Sequence, residues 1–222
     1  MADISLTYAT LKTKQRRLRE EFPVNLGLRV HRAISWLERA EQEDGDDDAR
    51  FLFCWIAFNA AYAADCINSD KSGERSVFES FFSVILELDK ANIIYDQIWH
   101  NFSSSIRVLL QNKYVFQPFW DFHHKVPNNE DWEQRFAARQ RLVHKALSDQ
   151  NTVVVLSVLF DRLYTLRNQL IHGGATWNSA VNRDQVADGA KILSSLVPLF
   201  IDLMMDYPRV EWGEPHFPVI ED

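Results

Sequence analysis

Asp161, Thr165, Asn168 and His172 follow one another at steps of four, three and four residues. On a helix this spacing lays them along one ridge and makes Asn168 and His172 direct neighbours. Arg167 stands beside them. His172 falls at the carboxyl end of the segment, where the helix dipole favours a cation. An imidazole that takes and gives a proton near neutral pH, an amide that can orient a phosphate and an obligate cation form a workable set for cleaving a phosphodiester. The 2′-hydroxyl of RNA would be the internal nucleophile, and no metal would be needed. The bland alternative is a satisfied structural histidine, since a terminal His and a helix Asn are common.

The helix that must carry these residues runs from about Thr152 to Ile171. On a wheel of about 100° per residue, Leu156, Leu159, Phe160, Leu163, Leu166, Leu170 and Ile171 form one broad apolar stripe, and Arg167 falls in its middle. Burying a guanidinium costs several kcal/mol unless it is paired or reaches water. Three readings are open: Arg167 snorkels to solvent, it makes a structural ion pair, or the stripe faces a second subunit with a polar pocket in the seam. His172-Gly173-Gly174 ends the helix, because glycine tolerates the left-handed conformation that closes it.

The remaining pattern is helical throughout. Apolar steps of three and four predict an amphipathic helix from about Leu26 to Glu43, entered through Pro23. The acidic run Glu41 to Asp48 reads as a solvated connection that also favours the start of the next helix. Phe51 to Asp65 is apolar nearly all round and belongs in the centre of a bundle. Ser69 to Gly73 reads as a turn, and Val77 to Leu88 and Ile93 to Leu110 as helices separated by the polar Asp89-Lys90-Ala91-Asn92. Tyr114 to Asn129 breaks periodicity and reads as an ordered loop pinned by its own aromatics, with Asn128 or Asn129 capping a helix from about Glu130 to Ser148. Arg183 to Met205 is helical around Pro198, and 208–222 is a tail. The expectation is one all-α helical bundle over residues 1–222, with an aromatic-rich loop and a basic N-terminal segment at 1–22.

Composition narrows the function classes. With 222 residues, 46% hydrophobic and 25% charged, the chain has enough apolar material for one sizeable core. Only seven Gly and seven Pro argue against a many-turned β-sandwich or barrel. Cys54 and Cys66 carry no metal-ligand spacing and read as reduced thiols. No apolar stretch is long enough to span a membrane, and the polar, basic N-terminus is no secretory signal, so a cytoplasmic protein is expected. The net charge of −7 repels nucleic acid at long range, so any such role must use a local basic patch. A P-loop, a dinucleotide fingerprint and a serine-hydrolase elbow are absent. No cofactor is expected.

The run Arg167-Asn168-Gln169-Leu170-Ile171-His172-Gly173-Gly174 resembles the R-N-x-x-x-H signature of the HEPN superfamily. Further stretches resemble its Apea-like branch: Ala33 to Ala40, Phe53 to Tyr62, and Gly173 to Asn178 continuing through Val197 to Phe200. The resemblance spans about Val24 to Met205. It implies an all-helical, homodimeric, metal-independent ribonuclease of prokaryotic defence or toxin systems, with a possible antitoxin or defence partner. His172 would be the general acid/base, Arg167 would stabilise the phosphorane charge, and Asn168 would orient one of them. It also implies that two motif copies meet across a dimer seam, the third reading of Arg167. The chain departs from one pattern: toxins of this superfamily that are neutralised by nucleotide transfer carry a tyrosine two residues beyond the histidine, where this chain has Gly174. Other members with similar signatures bind RNA, nucleotides or proteins without cutting, so a non-catalytic module is the competing reading.

Secondary candidates carry bland alternatives. Lys12, Lys14, Arg16, Arg17 and Arg19 could form an arm for the RNA backbone or simply a solvated helical face. Arg135, Arg139, Arg141 and Lys145 form a second basic ridge. His123 and His124 lack a third ligand, and no metal site is expected. Tyr114, Phe116, Phe119 and Trp120 could stack unpaired bases or anchor their loop. Asn59, inside an apolar helix, needs a hydrogen-bond partner.

Overall fold

The computed structural model describes residues 6–62, 71–180, 182–215 and 217–219, with the backbone alone over 71–77. Ten α-helices are present among them: α1 (Tyr8–Leu18), α2 (Val24–Glu41), α3 (Asp47–Tyr62), α4 (Lys71–Leu88), α5 (Ile93–Asp96), α6 (Ser103–Gln111), α7 (Gln117–His123), α8 (Trp132–Ser148), α9 (Thr152–Ile171) and α10 (Arg183–Asp206). No β-strand occurs among the described residues, so the fold is all-α as the hydrophobic periods predict. No helix is long and apolar enough to cross a membrane among the described residues.

α3 is the hub expected of a helix apolar on most sides: it packs on α2 and α10 and also meets α9, while α4 lies along α9. Phe58 sits where these helices converge. Its ring lies 4.4 Å from Tyr62, 4.5 Å from Phe160 of α9, 6.2 Å from Phe200 of α10 and 6.3 Å from Phe82 of α4. Phe58, Phe82, Phe160 and Phe200 are fully buried. α9 begins where Asn151 accepts from the Val154 N–H at 3.1 Å, so the helix that carries the candidate residues is fixed at its start by a side-chain cap.

Several sequence expectations need correction. Lys71 to Gly73 is the first turn of α4 rather than part of a turn; residues 69 and 70, and Cys66 with them, lie outside the described residues. The Ile93 to Leu110 helix is broken into α5, a π turn over Gln97–Asn101 and α6. Asp89 is no mere polar spacer: its two carboxylate oxygens accept the Ile93 and Ile94 N–H groups at 3.0 and 2.7 Å and start α5. The aromatic segment contains a 3₁₀ turn, Lys113–Val115, and the helix α7, because Pro118 near its start pre-sets a helical φ. Neither Asn128 nor Asn129 caps α8. Asn129 instead donates to the Val126 and Pro127 carbonyls and accepts from Arg135. Part of the C-terminal tail is held down: Arg29, buried in α2, donates to the Ala61 and Glu214 carbonyls, and Arg32 donates to Phe217 O. Burial pushes the Arg29 guanidinium down to about 10, with Glu214 opposing.

Gly189 lets α10 approach α3 closely. A β-carbon there would lie 2.7 Å from the Phe51 ring and 3.1 Å from Leu163. Phe51 is fully buried and cannot swing aside. Gly189→Val should therefore destabilise the protein by about 1–3 kcal/mol through overpacking, read as a lower urea midpoint. An unchanged midpoint would mean that the crossing relaxes freely.

Candidate functional site

α9 ends in a hydrogen-bonded stop built from its own sequence. Gly174 N–H donates to Gln169 O at 2.7 Å and Gly173 N–H to Leu170 O at 3.3 Å, with Gly173 at φ 68°. This is the six-to-one, five-to-two pattern of a Schellman closure. A β-carbon on Gly174 would stand 3.0 Å from the Gln169 carbonyl. The glycine pair therefore fixes where His172, the C-cap residue, emerges.

Arg167 is half-buried, Asn168 is half-buried and His172 is exposed. The Arg167 Nη1 donates to Asn168 Oδ1 at 2.9 Å, while its Nε is buried with no hydrogen-bond partner. Among the described residues Arg167 pairs with no carboxylate, its one side-chain partner being Asn168. Asn168 and His172 are joined by the helix itself, His172 N–H donating to Asn168 O at 3.0 Å. Five residues of helix separate Arg167 from His172 by roughly 140° around the axis, with Asn168 between them. One chain thus joins Arg167 to Asn168 and Asn168 to His172, but does not converge all three.

The expected polar ridge is interrupted. Thr165 is buried, and its hydroxyl donates to Asp161 O at 3.2 Å, one turn back in its own helix. Sequence reasoning missed the arginine that is fully buried on α9. Arg162 lies under the aromatic segment, its guanidinium carbon 4.5 Å from the Phe116 ring centroid and 5.8 Å from that of Phe136. It occupies the edge of the apolar stripe rather than its middle, so only the packing of neighbouring elements reveals its burial.

Gln169, between Asn168 and the closing glycines, braces the site on two sides. Its Nε2 donates to Tyr114 O at 2.5 Å, and its Oε1 accepts from Asn182 Nδ2 at 3.0 Å. The loop beyond the motif is fastened to the acidic turn before α3, so that turn is not merely solvated. Trp177 Nε1 donates to Asp46 Oδ2 at 2.8 Å, Asn178 N–H to Asp48 Oδ2 at 3.2 Å, and Arg183 pairs with Asp48 at 2.7 Å. The cavity between this loop and α9, lined by Leu166, Gln169, Leu170 and Asn182 among others, encloses about 10 Å³. That is room for one water and excludes it as a nucleotide pocket.

The basic segment forms α1 and packs on α2 and α10. Lys14 bonds Asp202 and Asp206 at 2.7 Å each, and Lys12 donates to Gln15. Arg16, Arg17 and Arg19 are exposed, with Arg19 at 3.2 Å from Glu20. On α8, Arg135 pairs with Asp131 and Lys145 with Asp149, while Arg141 is exposed. Phe116 and Phe119 are buried, whereas Tyr114 is 47% exposed. His123 and His124 are exposed, His123 lying 4.4 Å from the Phe119 ring. No group of three His, Cys, Asp or Glu suited to a metal occurs among the described residues. Cys54 is a free, buried thiol that burial pushes up to about 11. No protein family, curated protein or solved structure matches the chain.

Asp46 is held below its ordinary value of 3.8, first by the Ala49 N–H, against the opposing effect of burial, and further by Trp177, the Asp48 N–H and Arg183. A depressed carboxylate stabilises the folded state above its unfolded pKa and loses that contribution as pH falls through the folded value. Below about pH 4 the wild type should therefore lose stability more steeply than Asp46→Ala, in acid titrations followed by Trp fluorescence and circular dichroism. Equal slopes would remove Asp46 as the fastening of the loop.

Proposed function

We propose that the protein is a metal-independent endoribonuclease of the HEPN type, of the kind found in prokaryotic defence and toxin systems, working at a composite site between two copies of the chain. The observation that carries this reading is the state of Arg167. It is half-buried, steadied by Asn168, paired with no carboxylate among the described residues, and left with an unsatisfied buried Nε on the helix that ends at the exposed His172. A buried donor without a partner carries a desolvation penalty, which an incoming phosphate or a second copy would relieve. His172 would remove the 2′-hydroxyl proton and return a proton to the leaving 5′-oxygen, while Arg167 stabilises the phosphorane. The 2′-oxygen attacks phosphorus as the P–O5′ bond breaks, leaving a 2′,3′-cyclic phosphate and a 5′-hydroxyl.

The angular separation of Arg167 and His172 within one chain favours a second reading: a non-catalytic RNA-binding or protein-interaction module, if no second copy completes the site. Cleavage of single-stranded RNA in EDTA decides between them. The nuclease reading expects cyclic-phosphate ends and a rate lowered about a hundredfold to ten-thousandfold in His172→Ala, with Arg167→Ala also strongly impaired. Cleavage that is absent, or undiminished in both variants, would overturn it.

A further inference from the structure

Two exposed aromatic rings flank the end of α9, and their surroundings differ in charge. Trp177 is 73% exposed, but its indole N–H is tied to Asp46 within a run, Glu41 to Asp48, that holds six acids and no base. A polyanion would be repelled there. Tyr114 is 47% exposed and lies in a stretch, Arg107 to Asn129, with three basic residues against one acid. Lys113 Nζ stands 5.3 Å from its ring centroid, and Phe119 meets it edge-on at 5.4 Å.

The backbone that carries the ring is held at both its N–H and its carbonyl. Tyr114 N–H donates to Asn112 Oδ1 at 2.9 Å, and Tyr114 O accepts from both Trp120 Nε1 at 2.8 Å and Gln169 Nε2 at 2.5 Å. Gln169 stands three residues before His172, a spacing that puts the two on neighbouring positions of the helix surface. A tyrosine fixed at its backbone, carrying a cation and held by the motif helix has the makings of a base platform: stacking needs an ordered π-face, and the neighbouring phosphate needs a positive charge.

We propose that Tyr114 and Lys113 form a subsite for an unpaired base and its phosphate next to the position of His172, so that the nucleic acid taken by this site is single-stranded RNA. The subsite rests on the reading of the protein as an RNA enzyme, and binding separates it from that reading. The probe is a short fluorescein-labelled oligouridylate with 2′-O-methyl riboses, which cannot be cleaved, followed by fluorescence anisotropy with the full chain. Tyr114→Leu keeps apolar contact with Phe119 but removes the π-face, and should weaken binding about fivefold to a hundredfold; Tyr114→Trp should restore it. Lys113→Ala should weaken binding and lower the salt dependence by about one phosphate contact. A duplex of equal length should bind less well.

Equal binding by wild type and a folded Tyr114→Leu, or by single strand and duplex, overturns the subsite even if RNA is cleaved in a His172-dependent way. Tyr114-dependent binding without any cleavage supports the subsite while the nuclease reading fails. Absence of binding to any oligonucleotide overturns the subsite and points the surface toward a protein partner.

Discussion

Phe58 is the contact on which the arrangement depends. Its ring touches aromatic partners from α4, α9 and α10 while it stands on α3, so one side chain fixes four helices relative to each other. Aromatic pairs of this kind contribute about 0.5–1.5 kcal/mol each beyond the area they bury, and here they share a common centre. α9 is therefore anchored at Phe160, stays buried at Leu163 and Leu166, and reaches the surface only at its end. That explains how the same helix can be buried at Leu159 and Leu163 and exposed at Ile171 and His172.

The end of that helix is held by polar contacts as well as by the packing of Leu166 and Leu170. Gln169 reaches the aromatic segment on one side and Asn182 on the other, and the loop after the glycines is fastened to Asp46 and Asp48. These bonds are strong only where geometry is exact to a few tenths of an ångström, which suits a position that must hold an imidazole in place without enclosing it. The acids that make the chain anionic are thus partly consumed internally. The stretch Arg107 to Asn129 holds three basic residues against one acid, so the two flanks of the α9 terminus offer different surfaces to a ligand.

Arg167 and Arg162 sit on the same helix in opposite circumstances. Arg162 is enclosed and lies against Phe116, where an aromatic face compensates part of the lost hydration. Arg167, near the helix end, is only half-buried and donates to Asn168. The two arginines differ in what covers them, Arg162 being fully buried and Arg167 half-buried.

The sequence by itself determined what depends on neighbours along the chain. The helical periods, the bounds of α9 and the glycine stop after His172 follow from contacts within a few residues, which composition and spacing encode directly. The placement of Arg167, Asn168 and His172 at the end of α9 follows for the same reason. Tertiary structure alone decided the rest. Arg162 and Thr165 are buried because α9 is covered on flanks that its own pattern leaves polar, and Asp48 is occupied because Arg183 arrives from 135 residues away in sequence. Gln169 has its partners only because Tyr114 and Asn182 fold against it. Long-range partners leave no period in the sequence, so burial and pairing of polar groups become visible only once the helices have packed.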